Sequence, residues 1–194
     1  MYWSLAEMIL DLVQNSIEAD ADKITVEITH RSEWLLVKIS DNGRGMDEIR
    51  RAAALDPFYT EEGKHPGRRV GLGLPFLRQT VDQTGGTFRL QSEPGVGTVL
   101  EFGLVTTHID TPPPGDLAQL AVELMCFNRE YDLRLIREYG PDDGGAHHRR
   151  RYEITRGELQ EVLGEISTVE NRELAREYIL AAESDLYEQE REPV

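Results

Sequence analysis

The sequence has few of the features that mark exported, membrane-spanning or zinc-binding proteins. Its single cysteine, Cys126, cannot form a disulfide within the chain, and no Cys/His cluster has the spacing of zinc ligands. No apolar run approaches the roughly eighteen residues that span a bilayer, and no segment resembles a signal peptide. We therefore expect a soluble, cytoplasmic protein that does not act at a membrane.

Basic residues are scarce relative to acidic ones. The sequence has 21 Lys and Arg against 36 Asp and Glu, which gives a formal net charge of −15. Binding to nucleic acid requires a basic surface that neutralises phosphates, so we expect no nucleic-acid partner. Most of the excess lies in residues 110–194, where acidic side chains are interpreted as the solvated surface of helices.

Three consecutive prolines, Pro112 to Pro114, divide the chain. Proline lacks an amide donor and fixes an extended backbone, so neither a helix nor a central strand can continue through this run. We therefore predict a first domain over residues 1–106, a proline-rich linker over 107–115, and a second part over 116–194.

The hydrophobic pattern of the first part alternates between helical and strand periods. Ser4 and Glu7 form a predicted capping box before apolar residues at helical spacing, and alternating apolar residues predict β-strands. The order of these elements predicts an α+β fold, a two-layer α/β sandwich with the helices on one face of the sheet. The predicted helices cover residues 5–17, a stretch from about 46, and 74–83; the strands cover 24–29, 34–40, 87–91 and 98–104.

The second part has a different pattern. An amphipathic helix is predicted over residues 116–128, and strands over 132–139 and 149–155 enclose a loop at 140–148. Residues 156–190 predict one or two helices rich in Glu and Arg. The second part is thus a small, mainly helical appendage that contains a β-hairpin.

Two polar residues of the first helix could do chemistry together. Asp11 and Asn15 are four residues apart, so they share one face of the helix, one turn apart. A carboxylate can accept a hydrogen bond from a water, and an amide oxygen can bind a hard cation such as Mg²⁺. Polar pairs at this spacing more often simply face solvent, so the pair alone decides nothing.

Three glycine-containing segments follow. Asp-Asn-Gly-Arg-Gly-Met at residues 41–46 comes directly after a strand, Gly-Arg-Arg-Val-Gly-Leu-Gly-Leu at 67–74 leads into a helix, and Gly-Val-Gly-Thr at 95–98 joins two strands. Glycines permit positive φ and a close approach of backbone to a ligand, and free N–H groups at a helix start suit phosphate. Each segment alone is also typical of an ordinary turn.

In this order, the four segments resemble the boxes of the GHKL ATPases. That family includes DNA gyrase, the heat-shock chaperone ATPases, sensor histidine kinases and the mismatch-repair ATPases. The resemblance covers roughly residues 3–105, and Asp-Pro-Phe-Tyr-Thr at 56–60 resembles the F box of histidine kinases. The segments correspond to the N box (11–15), the G1 box (41–45), the G2 box (71–73) and the G3 box (95–98).

The resemblance implies a site for ATP and Mg²⁺. In it Asn15 is the Mg²⁺ ligand, Asp41 binds the adenine amino group, and Thr98 supports adenine recognition through water. Asp11 stands where hydrolysing members often have a glutamate general base. The remaining implied nucleotide contacts lie in the G1 box or directly after it, in an ATP lid over about 55–70, and after the lid: Gly43, Gly45, Met46, Lys64, Arg68, Arg69, Gly71, Leu72, Gly73 and Leu74.

Two positions depart from the histidine-kinase pattern. Glu18 stands where those kinases often have a lysine, so the N box is closer to the mismatch-repair and chaperone branch. Arg69 replaces the first glycine of the kinase G2 triplet, where it could instead reach a phosphate. The lid and the F box remain of the kinase type.

Three functions are compatible with this pattern. The favoured one is a regulatory kinase subunit that transfers phosphate to a separate protein, because the lid is kinase-like and we expect no phospho-accepting helical segment before the domain. The alternatives are a slow ATPase that acts as a conformational switch and a nucleotide sensor without chemistry. The expected partner is a phospho-acceptor or regulated target protein, and a homodimer stays open.

Overall fold

A computed structural model describes residues 4–56, 73–141 and 149–187. The predicted order of helices and strands is confirmed in both parts of the chain, with strand ends within one or two residues of those predicted. The helices are α1 (Leu5–Glu18), α2 (Glu48–Ala53), α3 (Gly73–Gln83), α4 (Leu117–Met125), α5 (Arg156–Leu163) and α6 (Val169–Tyr187). The strands are β1 (Lys23–His30), β2 (Trp34–Asp41), β3 (Thr87–Glu93), β4 (Gly97–Val105), β5 (Asp132–Tyr139) and β6 (Arg150–Thr155).

The strands form one six-stranded mixed sheet in the order β3-β4-β2-β1-β5-β6. The hairpin β1–β2 and the hairpin β5–β6 meet where β5 runs parallel to β1, with Lys23 opposite Asp132 and His30 opposite Tyr139. The sheet is therefore continuous across the proline run. The sequence analysis predicted both hairpins but not this connection between them.

The helices α1, α3, α4 and α6 cover one face of the sheet. Side chains from this face, such as Val26, Val37 and Leu135, join the helices in a single core that includes residues from both parts of the chain. The opposite face has charged pairs that cross between strands, including Lys38 with Glu27. The predicted two-layer α/β sandwich is thus confirmed. Within the described ranges, no helix is long and apolar enough to cross a bilayer.

The helix α1 begins at the predicted capping box. The backbone N–H of Glu7 donates to Ser4 Oγ over 3.3 Å, and the Glu7 carboxylate accepts from the Ser4 backbone over 3.3 Å. The next two amides donate to the proline run, Leu5 N to Pro113 O at 2.9 Å and Ala6 N to Pro114 O at 3.1 Å. The proline-rich segment is therefore bound to the start of α1, where helix amides lack partners within the helix.

A buried arginine attaches α6 to the sheet. Arg137 of β5 is 1% exposed, and its Nε and Nη2 donate to the two carboxylate oxygens of Glu183 at 2.7 and 3.0 Å. Its Nη1 donates to Ile28 O at 3.0 Å, and the Tyr152 hydroxyl donates to Glu183. Burial, followed by the charge of Glu183, raises the pKa of Tyr152. The guanidinium is thus paired with a carboxylate and hydrogen-bonded through all three of its nitrogens inside the protein, as a buried charge requires.

Removing the partner of this arginine is expected to be costly. Glu183→Ala leaves the Arg137 charge buried without a counterion, and we expect the free energy of unfolding to fall by about 3–5 kcal/mol. Chemical denaturation monitored by circular dichroism measures this change. Glu177→Ala, at an exposed position of the same helix, is the matched control and should stay within about 0.5 kcal/mol of the wild type. Equal stability of the two variants would contradict a buried charge pair.

Candidate functional site

Asp41 lies at the end of β2, and its carboxylate is held from two directions. Its Oδ2 accepts a hydrogen bond from Ser16 Oγ at 2.8 Å, and its Oδ1 accepts one from the backbone N–H of Gly43 at 2.9 Å. Asp41 also stands opposite Thr98 in the β2–β4 ladder. The carboxylate is thus fixed between α1, the loop after β2 and the start of β4, and its remaining lone pairs can accept from a ligand.

The sequence analysis missed Ser16, although its position carried a signal. Ser16 is buried and belongs to the apolar stripe of α1, beside Leu12, Val13 and Ile17. A polar residue on a buried helix face needs a hydrogen-bond partner, and here the partner is Asp41. The hydroxyl therefore fixes the rotamer of the carboxylate and attaches α1 to the end of β2.

Asn15 and Asp11 lie on α1 next to this contact. Asn15 immediately precedes Ser16 and is exposed, and Asp11 is half-buried one turn earlier. Within the described part of the chain, no group of three or more His, Cys, Asp and Glu side chains could hold a metal ion. A single exposed amide oxygen nevertheless suits Mg²⁺, which commonly takes one or two protein oxygens and completes its shell with phosphates and water.

The loop after β2 requires glycine at two positions. A Cβ on Gly43 would lie 2.8 Å from Ala19 O, and one on Gly45 would lie 1.9 Å from Glu93 O. Gly45 also has a φ of 62°, in the left-handed region. The next residue, Met46, donates its backbone N–H to Ser92 Oγ at 2.8 Å. The loop is thereby packed between the end of α1 and the β3–β4 hairpin.

Thr98 and Ser92 form a hydroxyl pair in that hairpin. Their oxygens are 2.9 Å apart, and Ser92 Oγ also donates to Gly97 O at 3.1 Å. Since the Ser92 hydroxyl has one hydrogen, which Gly97 takes, Thr98 Oγ1 donates to Ser92 and keeps its lone pairs for water or a ligand. The sequence analysis missed Ser92, whose only signal was its position opposite Thr98 in the hairpin.

A side chain at Gly45 is expected to disrupt the site. We expect Gly45→Ala to lower the free energy of unfolding by about 2–4 kcal/mol, because backbone strain and overpacking add. The matched control is Gly157→Ala in α5, where a Cβ meets nothing within 4 Å and φ is not positive. That control should be neutral or more stable by up to about 1 kcal/mol. Thermal melts of both variants test this, and equal melting temperatures would contradict the close packing at Gly45.

Part of the predicted phosphate-binding segment can be placed. Gly73 is buried and Leu74 half-buried, and both lie in the first turn of α3. The other predicted contacts, Lys64, Arg68, Arg69, Gly71 and Leu72, lie outside the described residues, as do residues 57–60 of the F box. The structure therefore brings together the segments 11–16, 41–46 and 92–98, while the predicted lid contacts remain predictions.

Residues 3–108 match the protein family described as "Histidine kinase-, DNA gyrase B-, and HSP90-like ATPase". The adaptive-response sensory kinase SasA of Prochlorococcus marinus is 30% identical over 102 residues, which are 50% of this chain and 27% of that kinase. The virulence sensor protein BvgS of Bordetella bronchiseptica is 30% identical over 129 residues, 59% of this chain and 10% of that protein.

Two solved structures also share a partial likeness with this chain. The catalytic domain of histidine kinase ThkA, in a nucleotide-free form, is 26% identical with a TM-score of 0.41, over 52% of this chain and 65% of that domain. Full-length ShkA in complex with AMPPNP is 19% identical with a TM-score of 0.41, over 54% of this chain and 22% of ShkA. The chain spans only part of the length of the curated relatives it matches, 27% of SasA and 10% of BvgS.

Proposed function

Because the chain belongs to the family of histidine kinase-, DNA gyrase B- and HSP90-like ATPases, we propose that it binds Mg-ATP between α1, the loop after β2 and the β3–β4 hairpin. We further propose that it transfers the γ-phosphoryl group to a separate protein. The observation that carries the nucleotide site is the Asp41 carboxylate, which Ser16 and Gly43 hold in place beside Thr98.

Adenine recognition falls to Asp41. A carboxylate oxygen accepts a hydrogen bond from the adenine amino group, and the contacts from Ser16 and Gly43 fix its direction before the ligand arrives. Little ordering is then left to occur on binding, which favours affinity. Thr98 Oγ1 accepts from a water that bridges to the base, since its own hydrogen is directed to Ser92.

The phosphates lie toward Asn15 in this proposal. Its exposed amide oxygen holds Mg²⁺, which when bound neutralises charge on the phosphates and polarises the γ-phosphoryl group. In this proposal Asp11, one turn earlier, accepts a hydrogen bond from an attacking hydroxyl or water. Lys64, Arg68 and Arg69 add positive charge, and the backbone amides of residues 71–74 bind phosphate oxygens.

The acceptor is proposed to belong to another protein. Kinase relatives such as SasA and the kinase-type F box support transfer rather than simple hydrolysis. In the reaction the bond from the γ-phosphorus to the β–γ bridging oxygen breaks, a bond to the acceptor side chain forms, and ADP leaves with the bridging oxygen. The acceptor proton passes to a base. A cytoplasmic location belongs to this proposal, because its substrate is ATP.

The division of labour between the two parts is also a proposal. The residues of the nucleotide site all lie within residues 1–106, whereas 116–194 extend the sheet and cover part of its apolar face. The first part therefore holds the proposed nucleotide-binding residues, whereas the second part contributes to the sheet and to the shared core.

The first test measures binding and transfer in one series. Calorimetric titration should show Mg-ATP binding, and label from the γ-phosphate of ATP should then appear on a partner protein. Asn15→Ala should lose the Mg²⁺-dependent part of the affinity, whereas Asn128→Ala, an exposed asparagine outside the site, should not. Absence of ATP binding by the wild type contradicts the proposal. Steady phosphate release that Asp11→Asn abolishes, without transfer, identifies a switch ATPase instead.

A further inference from the structure

Two arginines from distant parts of the sequence bind the last turn of α1. Arg129, from the connection between α4 and β5, donates its Nη1 to Ile17 O at 2.6 Å. Arg44, from the loop after β2, donates its Nη2 to Glu18 O at 3.0 Å and its backbone N–H to Ala19 O at 2.8 Å. The final carbonyls of a helix have no partners within it, and here the two arginines satisfy three of them.

Asp20 links the two arginines. Its Oδ1 accepts from Arg129 Nη2 at 2.9 Å, and its Oδ2 lies 3.6 Å from Arg44 Nη1. The hydrogen bond and charge of Arg129 lower the pKa of the Asp20 carboxyl below its usual value. Asp20 has a φ of 62°, an uncommon conformation for a residue other than glycine. The end of α1 is therefore held in one arrangement by charges from three segments.

This cluster adjoins the nucleotide site on both sides. Ile17, whose carbonyl Arg129 binds, directly follows Ser16, which donates to Asp41. Arg44 is the residue between Gly43 and Gly45, and the backbone N–H of Gly43 also donates to Asp41. A shift of the last turn of α1 would therefore move both hydrogen-bond donors of the Asp41 carboxylate.

From these contacts we infer that Arg129 is a positioning residue of the nucleotide site, and that residues 116–194 act on ATP affinity through it. The inference rests on the proposed function of that site. Arg129 touches no proposed ligand atom and works through Ile17 and Asp20. It therefore gives the second part of the chain a role in nucleotide binding in addition to its role in the core.

Because the cluster is exposed, an effect of Arg129 on ATP affinity can be distinguished from an effect on the stability of the fold. The side chains of Arg129, Asp20 and Arg44 are 49%, 64% and 58% exposed. Exposed ion pairs contribute little to stability because water screens the charges and holding the side chains costs entropy. The loss of Arg129 should therefore change the melting temperature little and the affinity for ATP more.

The experiment measures both quantities for Arg129→Ala in the full chain. We expect the Kd for Mg-ATP to rise about three- to tenfold, because Arg129 acts on the ligand only through neighbouring residues. Arg129→Lys keeps the charge near Asp20 without the forked contact, and should recover part of the affinity. Arg134→Ala removes an exposed arginine that pairs with Glu153 at 3.1 Å on the open face of the sheet, and should bind ATP as the wild type does.

A double-mutant cycle tests the route through Asp20. Arg129→Ala and Arg44→Ala should have non-additive effects on the Kd, since both arginines contact the same carboxylate. If Arg129→Ala does not fold, Asp20→Asn replaces it, and the Kd should rise in the same direction.

The outcomes distinguish the inference from the proposed function. A wild-type protein that binds no ATP overturns the proposed function itself. A wild type that binds, together with unchanged Kd values for folded Arg129→Ala or Asp20→Asn, overturns only the positioning role. A lower melting temperature with unchanged Kd likewise shows that Arg129 is merely structural.

Discussion

Asp41→Asn is expected to lower the affinity for Mg-ATP by about 30- to 150-fold, the equivalent of about 2–3 kcal/mol. The variant has one acceptor oxygen instead of two, and its amide nitrogen is a donor. The Gly43 N–H and the adenine amino group would then compete for one oxygen. The fold should survive, because the new amide can still donate to Ser16 Oγ and accept from Gly43.

Isothermal titration with Mg-ATP and with Mg-GTP measures this effect. The wild type should prefer ATP, since the guanine carbonyl would face the Asp41 carboxylate, and the variant should lose much of that preference. Asp185→Asn, at an exposed position of α6, controls for the loss of one negative charge. ATP affinity unchanged by Asp41→Asn would remove the assigned adenine site while leaving the fold description intact.

A chain that ends at residue 108 is expected to lack a cooperative unfolding transition. The cut removes β5 from beside β1 and leaves the edge of β1 unpaired. It also removes large buried side chains from the shared core, among them Leu120, Leu124, Met125, Leu133 and Leu135. Each such side chain contributes about 1.5–3 kcal/mol on burial, so their sum is comparable to the whole stability of a typical domain, about 5–15 kcal/mol.

Circular dichroism during heating tests this expectation. The control chain ends at residue 187, which keeps every described helix and strand and should melt as the full chain does. A sharp transition of the shorter chain near the melting temperature of the full chain would contradict it. In that case the first part would fold independently, as its match to a family over residues 3–108 alone would allow.

Local patterns allowed most elements to be predicted from the sequence. The capping box of Ser4 and Glu7 and the apolar stripe of α1 depend on neighbours within one or two turns, so the sequence contains them directly. The same holds for the hairpins β1–β2, β3–β4 and β5–β6, whose strands are close in sequence. Motif order also assigned Asp41 and Thr98 to strand ends, and the structure adds that these two strands, β2 and β4, are neighbours with the two residues opposite each other.

Contacts between distant segments could not be predicted in this way. Parallel pairing of β5 with β1 joins residues more than a hundred positions apart, and a hydrophobic pattern specifies that a strand is buried but not beside which strand. The hydrogen bond from Arg129 to Asp20 also joins residues more than a hundred positions apart, and no repeating pattern in the sequence marks it. Ser16 and Ser92 bind partners in other elements, so the sequence marked Ser16 as a polar residue in an apolar stripe but did not show which residue either serine contacts.

The backbone contact between the proline run and α1 has a consequence for the order of events during synthesis. The amides of Leu5 and Ala6 emerge from the ribosome before their acceptors, the carbonyls of Pro113 and Pro114, which are made more than a hundred residues later. The parallel neighbour of β1 is completed only at Tyr139. A nascent chain therefore lacks these contacts to the proposed nucleotide-binding part until the second part emerges from the ribosome.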